Sequence, residues 1–257
     1  MKRLYWFSDI GVMTGRCLRH TFRSIDTVIT VAAMPILMML MFVYVFGGAI
    51  GTGDYGVAYI DYMLPGILLM SISNCVAYAA IRLNNDVTKG IFDRFHSMPV
   101  SRASVLWGHV LTSVASCMVS IVLVVLVGLL LGFRPSAGVA GWLLAVVMLV
   151  LYVLAATWMA VVSGLLAKTA EGAGVFSYPL TFLPFLSSAF VPTQSMPGVV
   201  RAFAENQPVT AVVEAVRALL LGRPVGDSLW VAAIWLVGLA VVFYALAMAA
   251  YRRRRPA

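Results

Sequence analysis

Apolar residues run along this chain in long blocks separated by short polar stretches, and the block lengths carry the first structural information. Six blocks stand out: Val28–Gly48, Tyr62–Ile81, Val105–Leu131, Gly141–Leu166, Val175–Val191 and Leu229–Ala250. A helix rises about 1.5 Å per residue, so about 20 apolar residues match the roughly 30 Å hydrocarbon core of a bilayer. The pattern predicts six transmembrane helices and no β-barrel, since the alternating ten-residue segments of barrel strands are absent. Pro35 predicts a kink in the first span. Pro179 and Pro184 interrupt the fifth, and Ser187-Ser188 lies near its end. A broken helix at membrane depth persists only where protein or a cavity satisfies the freed backbone groups. Two readings of Pro179, Pro184, Ser187 and Ser188 follow: a translocation path or subunit interface, or a plain kinked span. Asn74, flanked by Ser71 and Ser73, is the strongly polar interior residue of the second span. It either hydrogen-bonds a neighbouring helix or lines the same path.

Three polar stretches have helical periodicity of their own. In residues 1–27, Ile10, Met13, Cys17, Leu18, Phe22 and Ile25 fall on one side of a helical wheel, and Arg16, Arg19 and Arg23 on the other. This predicts a basic interfacial helix on an anionic leaflet. The loop 82–104 joins the second and third spans. Within it Asp86 is a plausible N-cap and Pro99 a stop. Ile91, Phe92 and Phe95 share one face, while Lys89, Asp93 and Arg94 point elsewhere. Such a helix fits either of two roles, gripping a soluble partner or resting its rings among lipid headgroups. The segment 192–222 is too polar for a span and reads as two short helices, Pro197–Ala204 and Pro208–Leu221, broken at Asn206-Gln207. The second helix carries an apolar stripe through Val209, Val212, Val213, Val216 and Leu220 opposite Thr210, Glu214 and Arg217. An amphipathic hairpin dipping into the membrane edge accounts for it.

Composition agrees with the block pattern: 62% of residues are hydrophobic and 11% charged, against about 25% charged in a soluble domain. The net charge of +8 changes the picture only through its placement. With six spans and both ends on one side, 14 of the 18 Lys and Arg fall on the side of the termini. Positively charged loops stay in the cytoplasm, which puts both termini inside, the loop 82–104 inside and the hairpin outside. The basic excess therefore belongs to the surface of a cell membrane and not to nucleic acid. Cys17, Cys75 and Cys117 show no metal-ligand spacing and read as small buried hydrophobes.

Catalytic chemistry is sparse. No phosphate-binding loop, HExxH or CxxC occurs, and His20, His96 and His109 have no nucleophile among them. No metal site and no catalytic residue is assigned. Gly51-Thr52-Gly53-Asp54 matches the GxGD of intramembrane aspartyl proteases, with Asp61 as a candidate second acid. Its setting in a Gly-rich loop, where glycine and Asp are ordinary turn residues, disfavours the protease reading. The spans also lack the mid-membrane acids of an ion-coupled carrier, so energy for transport would come from another polypeptide.

Two stretches carry a family resemblance. One is Asp93-Arg94-Phe95-His96-Ser97-Met98-Pro99-Val100-Ser101-Arg102, followed by Gly108. The other runs from Phe190-Val191-Pro192 and Met196-Pro197 through Arg201-Ala202-Phe203-Ala204, Asn206 and Pro208-Val209-Thr210 to Glu214-Ala215-Val216-Arg217 and Gly222. Both resemble ABC-2 type permeases, most of all the daunorubicin-resistance branch. The resemblance implies a domain over 28–250 between the interfacial helix and a basic cytoplasmic tail, 251–257. It implies a coupling helix in which Asp86, Lys89, Ile91, Phe92, Asp93, Arg94 and Phe95 meet an ATP-binding subunit, present in two copies. It implies pairing with a second permease, identical or not, and an external re-entrant hairpin whose gate residues would be Arg201, Asn206, Pro208, Glu214 and Arg217. This chain would itself bind no cofactor; ATP and Mg belong to the partner. The activity implied is outward movement of hydrophobic or amphipathic drugs or lipids. A polysaccharide or glycolipid exporter of the same superfamily is the alternative. A membrane scaffold without transport would have no need of the coupling loop.

Overall fold

The computed structural model describes residues 25–46, 58–89, 102–175 and 177–253. All regular structure among them is helical. Helix α1 (Ile25–Met41) continues as a π-helical turn, Phe42–Phe46. Then come α2 (Tyr59–Thr88), α3 (Arg102–Leu130) and α4 (Val139–Leu166). A broken segment follows: α5 (Ala170–Val175), α6 (Tyr178–Phe182) and a 3-10 turn, Leu183–Leu186. After the 3-10 turn Thr193–Ser195 come α7 (Gly198–Asn206), α8 (Pro208–Leu220) and α9 (Ser228–Arg253).

Four of these, α2, α3, α4 and α9, are long and apolar enough to cross a bilayer, and α1 contributes a shorter apolar stretch over Ala32–Val45. Four of the six expected spans thus reappear as single long helices with shifted ends. The largest shift is at α2, which runs two turns past Ile81 to Thr88 because Leu83 and Asn84 are buried there. Asp86 is therefore an interior residue of α2, not the N-cap of a separate helix. The helix ends at Lys89, whose amide bonds back to Asn85 and Val87. The fifth block departs most from a continuous span. Pro179 and Pro184 withdraw amides at two places, and the backbone answers with short helical pieces.

Helix α2 is the centre of the molecule, packed by α1, α3, α4, the broken segment and α8. Glycines let the backbones close in. A Cβ on Gly66 would stand 2.7 Å from the Cβ of Ala189, and one on Gly164 would stand 3.0 Å from the carbonyl of Ala80. A second cluster of Leu83, Leu106, Val110, Trp158, Val161, Leu165, Ala247 and Tyr251 ties α9 to the far ends of α2 and α4. There Trp107, Trp158 and Tyr244 meet edge to face.

The broken segment runs antiparallel to α2. Gly174 lies against Ile81, the carbonyl of Leu180 meets Ser73, and Ala189 meets Gly66. Fifteen residues of helix advance about 22 Å, so the segment follows α2 through most of a bilayer's depth. The hairpin α7–α8, the α3–α4 turn and the start of α2 gather at one end. Ser136 Oγ donates to the Leu221 carbonyl (2.6 Å), and the Ala137 amide donates to that of Leu220 (3.2 Å). Helix α8 stops at Gly222, whose φ of 61° suits a residue without Cβ.

Candidate functional site

The hairpin end holds the densest polar construction. Arg217 lies on the stripe of α8 that also buries Val209, Val213, Val216 and Leu220, so its long side chain enters the protein and is only 5% exposed. Its Nε donates to the Tyr62 carbonyl (2.9 Å), and one terminal nitrogen donates to the carbonyls of Ser188 (2.7 Å) and Ala189 (3.3 Å). The guanidinium also sits over the Tyr62 ring, 3.8 Å from its centroid. A planar fork of fixed donors can bridge two backbones and stack at once. One side chain thus joins α8, α2 and the end of the broken segment.

Gln207, at the joint between α7 and α8, makes the second such bridge: Nε2 donates to the carbonyls of Leu183 and Leu186. Ser187 Oγ donates to the Pro184 carbonyl and accepts the Ala189 amide. Thr210 ties α8 to the Ala204 carbonyl of α7. Tyr59 reaches the Phe190 carbonyl (3.4 Å). Backbone groups freed by the helix breaks are thus taken up by side chains. The same place is aromatic: Phe42 of the π turn stacks on Phe190 with centroids 4.7 Å apart, and Phe185 and Phe182 extend the row outward to the surface.

The residues expected here divide. Ser187, Ser188, Pro184 and Arg217 come together around the break. Pro179 is exposed, one turn earlier. Asn74 donates to Met70 of its own helix (3.1 Å), and it is Ser73 beside it that reaches the broken segment, its one proton shared between Leu69 and Leu180. Arg201 pairs with Glu205 on an open face (2.7 Å, 47% and 43% exposed). Asn206 bonds back to Ala202, and Pro208 opens α8. Glu214 is half-buried one turn before Arg217, which is held by carbonyls and a ring. Asp61 accepts the Arg134 amide (3.0 Å), which makes it a clasp on the α3–α4 turn. Asp54 lies outside the described residues.

At the opposite end Asp86 pairs with His109 of α3 (3.4 Å), and Lys89 is exposed. Ile91, Phe92, Asp93, Arg94 and Phe95 lie outside the described residues, as does the interfacial helix up to residue 24. Asn84, which the sequence reading passed over, donates to the carbonyls of Gly164 and Ala167 and so closes the C-terminus of α4 from α2. Neither Asn84 nor Gln207 has a local signature, since their partners lie 80 and 21 residues away.

Residues 8–221 match the family model of ABC-2 type transporters. The chain belongs to that family. Among relatives, a daunorubicin resistance ABC transporter permease protein, DrrB1, of Streptomyces coeruleorubidus is 33% identical over 234 residues, covering 88% of this chain and 80% of that one. A probable doxorubicin resistance ABC transporter permease protein, DrrC, of Mycobacterium tuberculosis is 29% identical over 245 residues, 94% of this chain and 87% of the relative. Membership makes this a multi-pass membrane protein and a permease subunit of an ABC transporter. Within an ABC-2 permease, the clamp of Arg217 and Gln207 on the broken segment lies at the end away from Asp86, His109 and the loop between α2 and α3.

Proposed function

We propose that the chain is the membrane-spanning half of an ATP-driven exporter that moves hydrophobic or amphipathic drugs or lipids outward. The similarity to permeases named for daunorubicin and doxorubicin resistance, over nearly the whole chain, carries this reading. The chain crosses the membrane six times, α1 and the broken segment supplying the two passes that are not single long helices. Both termini and the loop 82–104 face the cytoplasm, in keeping with the Lys and Arg distribution. Two copies of a separate ATP-binding subunit hydrolyse ATP with Mg, and a second permease, identical or not, completes the membrane part.

The loop between α2 and α3 receives the stroke. Ile91, Phe92 and Phe95 enter a groove of the ATP-binding subunit, with Asp86, Lys89, Asp93 and Arg94 at its rim. At the other end the hairpin holds the broken segment, and Arg201, Asn206, Pro208, Glu214 and Arg217 belong to the gate. The broken segment and its Phe row give an apolar molecule a path beside α2. Truncating a buried aromatic anchor costs about 2 kcal/mol or more of binding. Phe92→Ala/Phe95→Ala should therefore leave membrane insertion intact while partner recovery in a pull-down and drug efflux fall together. Full recovery of the ATP-binding subunit by this double variant would refute the coupling role.

A further inference from the structure

Side chains of α2 and α3 meet in a fixed antiparallel register along their whole contact. Nearest the hairpin, Leu64 fills the space beside Gly128, where a Cβ would stand 3.0 Å from Leu64 Cδ1. Deeper, the hydroxyls of Ser71 and Ser120 are 2.8 Å apart. One turn further the buried thiols of Cys75 and Cys117 are neighbours. Arg82 then donates to Ser113 Oγ (3.5 Å), and Asp86 Oδ2 with His109 Nε2, 3.4 Å apart, closes the row. On α2 the rungs fall seven, four, seven and four residues apart, the spacing of a single helical face against a straight partner.

From Leu64 to Asp86 the row covers about 33 Å at 1.5 Å per residue, which is the depth of the hydrocarbon core. Polar contacts between spans have no water to exchange with, so each rung resists separation and fixes register. A one-turn slip of either helix, the kind of ratchet seen in switching proteins, would break the Ser71–Ser120, Arg82–Ser113 and Asp86–His109 contacts together. Along the broken segment, by contrast, the polar contacts of α2 among the described residues run from side chain to backbone, Ser73 to the Leu180 carbonyl and Tyr59 to the Phe190 carbonyl.

We infer that α2 and α3 move as one rigid lever, with Arg82 and His109 as positioning residues that deliver a push on their connecting loop to both helices at once. This rests on the proposed coupling role of that loop. The test uses the complete exporter, chain plus ATP-binding subunits, in proteoliposomes, with doxorubicin as the transport probe. Molecular iodine converts two thiols and one I2 into a disulfide and two HI. Cys75 and Cys117 should become linked within one chain, seen as a joined peptide by mass spectrometry and as a fall from three thiols to one. Doxorubicin transport should stay within twofold of iodine-treated Cys75→Ser, which cannot form the link. In parallel, His109→Leu should lower transport per ATP hydrolysed severalfold, and His109→Gln, which keeps a donor toward Asp86, should restore it. Failure to link, or a linked exporter that hydrolyses ATP but loses transport tenfold, overturns the lever, as does wild-type coupling in His109→Leu. If the untreated assembly moves no doxorubicin, it is the proposed transport function that fails.

Discussion

Arg217 places a full positive charge among backbone carbonyls and an aromatic face, an arrangement that depends on its shape as much as on its charge. Lysine keeps the charge but has no planar fork, so it cannot reach the Tyr62 and Ser188 carbonyls together. Leaving a buried acceptor unsatisfied costs about 1–3 kcal/mol, more where the missing donor was charged. Arg217→Ala should therefore lower the stability of the detergent-purified protein by roughly 3 kcal/mol or more, with Arg217→Lys recovering only part. Arg201, on the open face of α7, gives the contrast: its pair with Glu205 is exposed, and such pairs are worth about 0.2–1 kcal/mol. Thermal unfolding of the three variants side by side checks the ranking. Equal effects of Arg217→Ala and Arg201→Ala would remove the clamp from this account. The sequence marked both arginines as hairpin residues but could not rank them. Periodicity set Arg217 opposite the apolar stripe of α8, whereas in the fold it is buried with that stripe and its guanidinium meets Tyr62 and the Ser188 carbonyl.

The broken segment is held by what lies beside it, because its own backbone cannot complete a helical ladder. It lies close against α2 at Gly66 and Ala189. A methyl group at residue 66 must displace the turn 187–190 and with it the carbonyls that Arg217 holds. Overpacking of this kind costs about 1–3 kcal/mol. Gly66→Ala should weaken stability and efflux, and Ala189→Gly in the same chain should restore much of both. A double variant no better than Gly66→Ala would place the defect elsewhere. The long helices were legible in the block pattern, as were both hairpin helices and the interruption at Pro179 and Pro184, but α5 lies in the polar stretch ahead of the fifth block. The ends were less so. Periodicity reads where apolar residues stop, and α2 goes on through Arg82, Asn84 and Asp86 because those side chains find partners on α3 and α4.

For the molecule as a whole, the two ends differ in kind. One gathers the hairpin, the α3–α4 turn and the clamp; the other gathers the Asp86–His109 pair, the aromatic cluster about Trp158 and the connection between α2 and α3. If the Lys and Arg asymmetry sets orientation, reporters at residue 1 and residue 257 will both read cytoplasm and one beside Gln194 will read exterior. A cytoplasmic signal at Gln194 would sink the six-pass arrangement. Family and broad architecture were available from the sequence, since they rest on block lengths and two contiguous motifs. The clamp was not, because Tyr62, Ser188, Gln207 and Arg217 meet only after the chain has folded.

Helix α2 is the least apolar of the four long helices and also the most thoroughly enclosed by protein. Those two properties belong together once its route into the bilayer is considered. As a nascent segment emerging from the ribosome it carries Asp61, Asn74 and Arg82 into a lipid setting that disfavours them. The neighbours that later accept its polar groups, α3, α4 and the segment after Ala170, are not yet made. Its residence in the membrane must then be conditional, settled only when downstream chain arrives to surround it. Biogenesis of this permease is in that sense retrospective: the middle of the structure is secured by sequence translated after it.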